Sequence, residues 1–443
     1  ASIPKGTRDF LPSTMIKRNF IFRIIKDVFQ LYGYMPIETP AMEKLSSLMG
    51  KYGEEGDRLL FRILNSGLAP TIKNKTLNEI AEKGLRYDLT VPFARFVVQH
   101  RNEINFPFKR YQIQPVWRGD RPQKGRYREF YQCDIDVIGS NALLNEIELL
   151  NIIHLVFEKL QIDITIKLNN RKILAGIAET VGQKDKLIDI TIAIDKIEKI
   201  GLEKVCEELL MKNIPRESIN ELKPILLLQG DIETKLSFLE EFLQQSDVGQ
   251  KGTEEIRYLF NFLTSVNSPL LEKLELDTSL ARGLNYYTGA IIEVKANNTE
   301  IGSICGGGRY DDLTGIFGMP NTSGVGISFG ADRIYDVMEE LKLFPETLNT
   351  VVPVMFINFG EDESRKAFLL QQDLLKKNIP SFIFPSAAKL KKQFDYANKQ
   401  EIPFVAIIGE REMKNNTVSV KNMTTGEQQE FKYDAFVNFF EQH

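Results

Sequence analysis

Apolar residues near the start of the chain recur at every fourth position, at Ile16, Phe20, Ile24, Val28 and Tyr32. This spacing places them on one face of a helix, so we predict an amphipathic helix over 13–32. Ser13 can cap its first turn and Gly33 can end it. The sequence MPIETP that follows is predicted to be extended, and LLNEIELLNIIHLVFEKL at 143–160 predicts a second helix.

Alternating or continuously apolar segments predict strands in two parts of the chain. The segments 110–117 and 129–138 predict two antiparallel strands joined by a loop, and IDITIKL predicts a strand over 162–168. Beyond residue 270, strands are predicted in three glycine-containing sequences, YYTGAIIEV, SICGGGRYDDL and SGVGISFGADRI. The last of these changes to helical spacing at 331–341.

The sequence pattern changes twice and predicts a division into domains. Acidic helices such as EKVCEELLMKN predict a helical insertion over 171–270, which separates 1–170 from 271–345 as two parts of one domain. After Pro345–Pro353, strands and helices alternate, and this predicts a small α/β domain with a mixed sheet over 350–443.

The composition is that of an ordinary soluble globular protein, with 443 residues, 43% hydrophobic and 26% charged. No run of eighteen apolar residues exists, so we expect no membrane span, and the start of the chain lacks the apolar core of a secretory signal. Three widely spaced cysteines predict reduced thiols and a cytoplasmic protein, and three histidines without ligand spacing argue against zinc chemistry.

The net charge of −4 argues against indiscriminate nucleic-acid binding but leaves room for a local basic site. The densest group of cations lies in the loop between the strands at 110–117 and 129–138, and it consists of Arg118, Arg121, Lys124, Arg126 and Arg128. Arginine can donate two parallel hydrogen bonds to a phosphate, so the loop can clamp a polyphosphate while Phe130 offers an apolar face to a base. The alternative is a solvated surface hairpin.

Two acidic motifs suit a small zwitterion. In RYDLTVPFARF, Asp88 and Thr90 would point to one face of a strand and bind an amine; alternatively, Thr90 caps a helix. In YQCDID, Gln132, Asp134 and Asp136 alternate with apolar positions. Lining a cleft, they would form a cage in which Asp136 supplies the negative charge; on an open sheet they would face solvent.

Three further motifs could contribute to a binding site, but each is weak evidence when taken alone. In RGLNYYTG, an arginine and a glycine precede Tyr286 and Tyr287, which would project to opposite faces of a strand. In CGGGRYDDL, three glycines allow close approach to the backbone just before Tyr310. In GVGISFGADR, Arg333 begins a helix, where it could stack on an adenine.

Taken in order, these motifs resemble those of the histidyl-tRNA synthetase family, which belongs to the class II aminoacyl-tRNA synthetases. The helix at 13–32 with YGYMPIETP is similar to motif 1, the dimer-forming element of the class, WRGDRPQKGRYREFYQ to motif 2 and GVGISFGADR to motif 3. RGLNYYTG and CGGGRYDDL resemble the two histidine signatures. The resemblance implies an α+β fold: an antiparallel-sheet catalytic domain flanked by helices, a helical insertion and a C-terminal α/β anticodon-binding domain.

The resemblance also implies a site for each ligand. The implied histidine-binding residues are Asp88, Leu89, Thr90, Arg118, Gln132, Asp136, Arg282, Tyr286, Tyr287 and Tyr310. The implied ATP-binding residues are Arg118, Arg126, Phe130 and Arg333, with Arg118 and Arg282 as the catalytic pair. Gln123, Lys124 and Arg128 would contact the tRNA acceptor end, and Asn285 stands where most members carry an aspartate.

The implied reaction joins L-histidine to ATP as histidyl-adenylate and then transfers it to the 3′ end of tRNA(His). Mg²⁺ would accompany the ATP phosphates, with no metal site fixed by the protein alone, and the enzyme would be a cytoplasmic homodimer formed through motif 1. A non-catalytic regulatory or tRNA-sensing subunit is the alternative, although Arg118, Arg282 and Arg333 are all present. A prolyl or threonyl enzyme is a second alternative, against which RGLNYYTG argues.

Overall fold

The computed structural model describes residues 2–50, 53–67, 76–194, 196–281, 286–345, 348 and 352–441. The chain divides into two compact units, Ala1–Leu343 and Phe344–His443. Among the described residues, none of the helices combines the length and the apolar character that a membrane crossing requires.

The strands of the first unit supply most of its core. They are β1 (Met35–Pro36), β2 (Met42–Lys44), β3 (Arg62–Ile63), β4 (Lys83–Leu85), β5 (Phe108–Trp117), β6 (Glu129–Ile138), β7 (Ile164–Asn170), β8 (Leu274–Leu276), β9 (Ala290–Ala296), β10 (Cys305–Tyr310) and β11 (Gly324–Gly330). Eight of these described strands form one sheet in the order β1-β5-β6-β11-β10-β9-β7-β8, and β2, β4 and β3 form a smaller one. The large sheet is antiparallel except at its two edges, where β1 pairs with β5 and β7 with β8 in parallel.

Helices cover this sheet and fill the middle of the sequence. They are α1 (Pro12–Leu31), α2 (Leu45–Leu48), α3 (Gly53–Arg58), α4 (Leu77–Ile80), α5 (Thr90–Gln99), α6 (Leu144–Lys159), α7 (Arg171–Thr180), α8 (Leu187–Ile194), α9 (Ile197–Met211), α10 (Arg216–Leu226), α11 (Ile232–Phe242), α12 (Asp247–Ser265) and α13 (Ala331–Glu340). Helices α7 and α12 approach closely, since a Cβ on Gly176 would lie 2.4 Å from the Cα of Gly249.

The first helix differs from its prediction in its cap and in its buried face. It begins at Pro12, and no side chain caps it, so the prediction that Ser13 caps the helix is wrong. Proline at the first helical position has no N–H to satisfy, which reduces the need for a cap. The fully buried face consists of Arg18, Ile21, Ile25, Val28 and Phe29, whereas the rest of the predicted stripe is only half-buried.

The second unit is a five-stranded mixed sheet with helices, as predicted. Its described strands are β12 (Val354–Phe356), β13 (Ser381–Ile383), β14 (Phe404–Ile407), β15 (Thr417–Asn422) and β16 (Gln428–Lys432), and its helices are α14 (Glu361–Lys376), α15 (Leu390–Lys399), α16 (Glu410–Asn415) and α17 (Tyr433–Glu441). The order is β13-β12-β14-β15-β16, in which the first three strands are parallel and the last three antiparallel. Apolar side chains that include Phe356, Leu374 and Phe436 form its core.

Candidate active site

Two adjoining hollows lie over the central strands of the large sheet. The large cavity has a volume of about 430 Å³, and its lining includes Arg118, Asp120, Arg126, Phe130, Asp332 and Arg333. A narrow cleft of about 20 Å³ lies beside it and is lined in part by Thr90, Asp134, Asp136, Tyr287 and Tyr310. Gly306 and Ser328 line both hollows, so the two lie side by side.

Glycines in β10 and β11 create the space for the cleft. Gly326 pairs with Asp136 across β11 and β6, and a Cβ on Gly326 would lie 2.0 Å from the Asp136 carboxylate. A Cβ on Gly307 would lie 2.1 Å from the backbone oxygen of Gly326. Any larger residue at these positions would therefore collide with the carboxylate or with the neighbouring strand.

Arg118 follows the end of β5 and is held between two aromatic rings. Its Nε donates to the backbone oxygen of Tyr87 at 3.0 Å, and its guanidinium carbon lies 4.2 Å from the Tyr87 ring centroid and 5.2 Å from that of Phe130. Contacts on the ring faces and the backbone fix the orientation of the guanidinium while leaving its Nη atoms for a ligand in the large cavity.

Arg333 occupies the opposite wall of the large cavity, in the first turn of α13. Its Nε donates to the backbone oxygen of Gly125 at 2.7 Å and its Nη1 to that of Ser303 at 2.6 Å. Burial lowers the pKa of this guanidinium, and the positive charges of Arg118 and Arg126 lower it further. Three cations thus bear on one cavity, which creates a site for an anion.

The cationic loop between β5 and β6 is ordered by ion pairs and backbone contacts. Arg126 contacts the Asp120 carboxylate at 2.6 Å, and exposed Lys124 pairs with Glu340 of α13. Arg128 donates from Nε to the Asp120 backbone oxygen at 3.0 Å and from Nη1 to that of Lys5 at 3.3 Å. Of the predicted tRNA contacts, Lys124 therefore stands at the surface, and Arg128 lies against the N-terminal segment.

Gln123, the third predicted tRNA contact, is exposed at the loop turn, where its backbone bridges to that of Arg126. None of Gln123, Lys124 and Arg128 lines the two hollows just described.

Asp88 and Thr90 occupy a helix start, so the strand geometry expected for them is wrong. Helix α5 begins at Thr90, whose side chain does not act as a cap. The Asp88 Oδ1 atom instead accepts from the backbone N–H of Val91 at 3.1 Å, and Oδ2 accepts from the Tyr286 hydroxyl at 3.2 Å. The Asp88 carboxylate therefore satisfies one of the first backbone N–H groups of α5, which have no partner within the helix.

Asp136 lies at the deep end of the cleft and contacts two groups. The Tyr310 hydroxyl donates to its Oδ1 atom at 2.5 Å, and Nη2 of Arg110 lies 2.6 Å from its Oδ2 atom as an ion pair outside hydrogen-bond geometry. Burial raises the pKa of Asp136, which Arg110 and Tyr310 oppose. Leu89 is fully buried nearby and offers its backbone oxygen to Arg110 at 3.5 Å.

The two neighbouring tyrosines have different environments and both precede β9. Tyr287 lines the cleft, where burial raises its pKa, whereas Tyr286 packs against an apolar cluster and reaches Asp88. Their rings meet edge to face with centroids 5.1 Å apart, and Tyr286 meets Tyr310 in the same way at 6.1 Å. The predicted residues Arg282 and Asn285 lie outside the described residues.

Sequence reasoning missed Arg110, a buried cation that forms an ion pair with Asp136 of the cleft. Arg110 is fully buried on β5, directly opposite Asp136 in the register of β5 and β6, and its guanidinium carbon lies 4.2 Å from the Phe93 ring centroid. An arginine within an apolar strand was the available signal, but its partner depends on strand register, which the pattern does not specify.

A second network missed from the sequence surrounds Asp332 in the first turn of α13. Its carboxylate accepts from Arg8, from Arg18 of α1 and, at 2.8 Å, from the backbone N–H of Tyr131 in β6. Its side chain is only 3% exposed. This carboxylate joins the N-terminal segment, two helices and a central strand at the wall of the large cavity.

Comparison with known proteins identifies the family. Residues 6–334 match the family model described as histidyl-tRNA synthetase, and residues 352–443 match an anticodon-binding domain. The chain is 57% identical to the histidine–tRNA ligase of Phocaeicola vulgatus, with 96% of each chain covered, and 56% identical to that of Porphyromonas gingivalis, with 98% of this chain and 97% of that one covered.

Solved structures agree with this relationship. The histidyl-tRNA synthetase of Nostoc sp. PCC 7120 superposes with a TM-score of 0.84 at 30% identity, covering 100% of this chain and 99% of that one. A Bacillus halodurans protein described as an ATP phosphoribosyltransferase regulatory subunit/histidyl-tRNA synthetase shares the fold, with a TM-score of 0.73 at 19% identity, covering 89% of this chain and 96% of that one. The fold alone therefore does not separate the two activities, but the sequence relationship does. The chain belongs to the histidyl-tRNA synthetase family of aminoacyl-tRNA ligases, and it joins histidine to tRNA in a reaction that uses ATP.

Proposed function

We propose that the large cavity binds ATP and that the narrow cleft binds histidine, so that the two substrates meet where Gly306 and Ser328 line both. The observation that carries this proposal is the convergence of Arg118, Arg126 and Arg333 on one cavity that adjoins a carboxylate-lined cleft. The cavity offers cations to phosphates, and the cleft offers oxygens and hydroxyls to an ammonium group and an imidazole ring.

The first chemical step requires two anions to approach each other. The histidine carboxylate attacks the α-phosphorus of ATP, and pyrophosphate leaves. Arg118, whose orientation is fixed by Tyr87 and Phe130, would bear on the α-phosphate and stabilise the charge that accumulates in the transition state. Arg126 would contact the outer phosphates, while Phe130 and Arg333 would enclose the adenine. The carboxylate is already ionised, so positioning and charge suffice without a general base.

Histidine recognition is assigned to the residues of the cleft and its rim. Asp88, Thr90, Gln132 and Asp136 would surround the polar groups of the amino acid, and Tyr287 and Tyr310 would read the imidazole ring. Leu89 and Tyr286 support these residues, since Leu89 contacts Arg110 and Tyr286 contacts Asp88. Arg282 is proposed to lie beside the substrate carboxylate and the α-phosphate, on the strength of the RGLNYYTG motif.

Mg²⁺ is proposed to enter with the nucleotide. Among the described residues, no group of three or more His, Cys, Asp or Glu side chains could hold a metal ion. Mg²⁺ is often bound through only one or two protein carboxylates, and phosphates and water supply its other ligands. When bound it would neutralise the outer phosphates; the cavity's own carboxylates, Asp120 and Asp332, are already paired with arginines.

The remaining proposals concern assembly and location. Two copies of the chain would form a homodimer through α1. The half-buried apolar stripe of α1 and the exposed Leu11 and Leu31 at its two ends support this proposal. Gln123, Lys124 and Arg128 would contact the acceptor end of tRNA(His), and 171–270 would form an insertion between 1–170 and 271–345. The free thiols of Cys133, Cys206 and Cys305 support a cytoplasmic location.

Histidine-dependent exchange of pyrophosphate into ATP tests the assignment of the cavity. We expect Arg118→Ala to lower kcat by about 10²–10³-fold, which is typical of removing one donor to a developing charge. Arg121→Ala is the matched control, because Arg121 is an exposed cation of the same loop that does not line the cavity. Equal exchange rates for the two variants would refute the role of Arg118, and exchange with another amino acid would refute the role of the cleft.

A further inference from the structure

Most carboxylate oxygens around the cleft already have protein partners. Asp88 accepts from the Val91 backbone and from Tyr286, and Asp136 contacts Tyr310 and Arg110. A substrate that bound to Asp136 would have to compete with these contacts. Asp136 is therefore a poor candidate for the main acceptor of a substrate cation, although the sequence pattern assigns it that role.

Asp134 differs from both of these carboxylates. It lies on β6 between Gln132 and Asp136, lines the cleft and is only 2% exposed. Its Oδ1 atom is buried and has no hydrogen-bond partner among the described residues, and the same is true of Oε1 of Gln132. Oδ2 of Asp136 also lacks a hydrogen bond, but it forms an ion pair with Arg110 at 2.6 Å. Buried acceptors without donors are rare because each costs free energy, so two of them on one strand face indicate that a ligand supplies the donors.

The geometry points to Asp134 as the residue that binds the α-ammonium group of histidine, an inference that rests on the proposed function of the cleft. Gln132 borders the large cavity next to Arg118, where the substrate carboxylate must lie to react with ATP. Asp136 and Tyr310 lie at the opposite end, where the ring would fit. The ammonium group is attached to the carbon next to the carboxylate, so it falls between these two ends and beside Asp134.

The charges that surround Asp134 favour a cationic ligand. Burial raises the pKa of Asp134 to about 7, and the negative charges of Asp136 and Asp88 act in the same direction. The positive charge of Arg110 on β5 and the Ser328 hydroxyl oppose this rise. The other titratable groups that the charge of Asp134 reaches are Arg86, Cys133, Tyr287 and Cys305. An ammonium group would supply both the missing donor and the missing charge.

The test uses Asp134→Asn in the full-length enzyme and measures histidine-dependent pyrophosphate exchange. We expect the KM for histidine to rise about 10–100-fold near pH ~8, as for the loss of a hydrogen bond between charged groups, with the KM for ATP within about twofold of wild type. The difference between the two enzymes should shrink towards pH ~6, because Asp134 is then largely protonated in the wild type. The titration of free histidine affects both enzymes alike and cancels in the ratio.

An analogue without the amino group separates this role from a structural one. Imidazolepropionate, which keeps the ring and the carboxylate, should inhibit the wild type and Asp134→Asn with equal strength. Asp134→Ser removes the carboxylate without adding volume and should show the same pattern. Equal weakening of histidine and imidazolepropionate, or an unchanged KM for histidine, would overturn the inference. Absence of any histidine-dependent exchange in the wild type would instead refute the proposed function itself.

Discussion

Two buried aspartates on either side of the active site show how differently a fold can treat the same group. Around Asp332, two arginines and a backbone N–H donate to one carboxylate. Around Asp134, the cation Arg110 is shared with Asp136, and one oxygen of Asp134 has no donor among the described residues. We conclude that the first carboxylate serves the architecture and that the second is held ready for a ligand.

The Asp332 network also explains how the large cavity keeps its shape. Arg8, one of its donors, lies with its guanidinium carbon 3.3 Å from the ring centroid of Tyr127, which lines the cavity. The Tyr127 hydroxyl donates to Asp336 at 2.7 Å, one turn further along α13. The N-terminal segment therefore fastens the cationic loop to α13 before any nucleotide arrives.

The largest effect on stability is expected when Asp332, the shared carboxylate of this network, loses its charge. Asp332→Asn leaves Arg8 and Arg18 without their shared carboxylate, and breaking a buried ion pair in this way costs about 3–5 kcal/mol of unfolding free energy. Urea unfolding of the full chain measures it. Asp9→Asn, which alters an exposed aspartate of the same segment, is the control and should change stability by less than about 0.5 kcal/mol. A loss below about 1 kcal/mol for Asp332→Asn would contradict the architectural role.

In the cleft, a substitution that removes the charge is expected to raise the unfolding free energy rather than lower it. Asp134 has its pKa raised from 3.8 to about 7, so the folded protein binds this proton more tightly than the unfolded chain does. The contribution of Asp134 to stability therefore falls as the pH rises from 3.8 to about 7 and stays low above that range. Asp134→Asn should accordingly raise the unfolding free energy by about 1–3 kcal/mol near neutral pH, since it removes a buried charge that lacks a full set of partners.

The same variant should lose this advantage as the solution is acidified from about pH 7 to below 3.8, where Asp134 is protonated in both states of the wild type. Thermal unfolding midpoints measured across this range provide the check. A variant that is less stable than the wild type at neutral pH would show that Asp134 is architectural, like Asp332, and would remove the contrast between the two regions.

Features of the fold that depend on local pattern could be predicted from the sequence. Alternation placed β5 and β6 within two residues of their observed starts, and it assigned Gln132, Asp134 and Asp136 to one face because Cys133 and Ile135 are buried. These inferences succeed because the side-chain period of a strand depends only on neighbouring residues.

Features that depend on distant residues could not be predicted in this way. Arg18 and Asp332 are 314 residues apart, and Tyr310 is 174 residues from Asp136. Without these contacts Asp136 looked like the free negative charge of the cleft, whereas tertiary structure gives it partners and leaves Asp134 with an unpartnered oxygen. The pattern identified the right strand face, but partners across the sheet decide which of its carboxylates is available.

The smallest expected effect lies at the surface, where Lys124 pairs with Glu340 and is 66% exposed. Exposed pairs contribute little to stability, so Lys124→Ala and Glu340→Ala should each lower the unfolding free energy only slightly. Only Lys124→Ala removes a cation that RNA could contact. If Lys124 contacts a tRNA phosphate, this variant alone should raise the KM for tRNA in aminoacylation and leave pyrophosphate exchange unchanged. The slope of log KM for tRNA against log salt concentration should also fall by about one, because one fewer counterion is released on binding. Equal tRNA kinetics for the two variants would show that Lys124, like Asp332, has a structural role and does not contact the RNA.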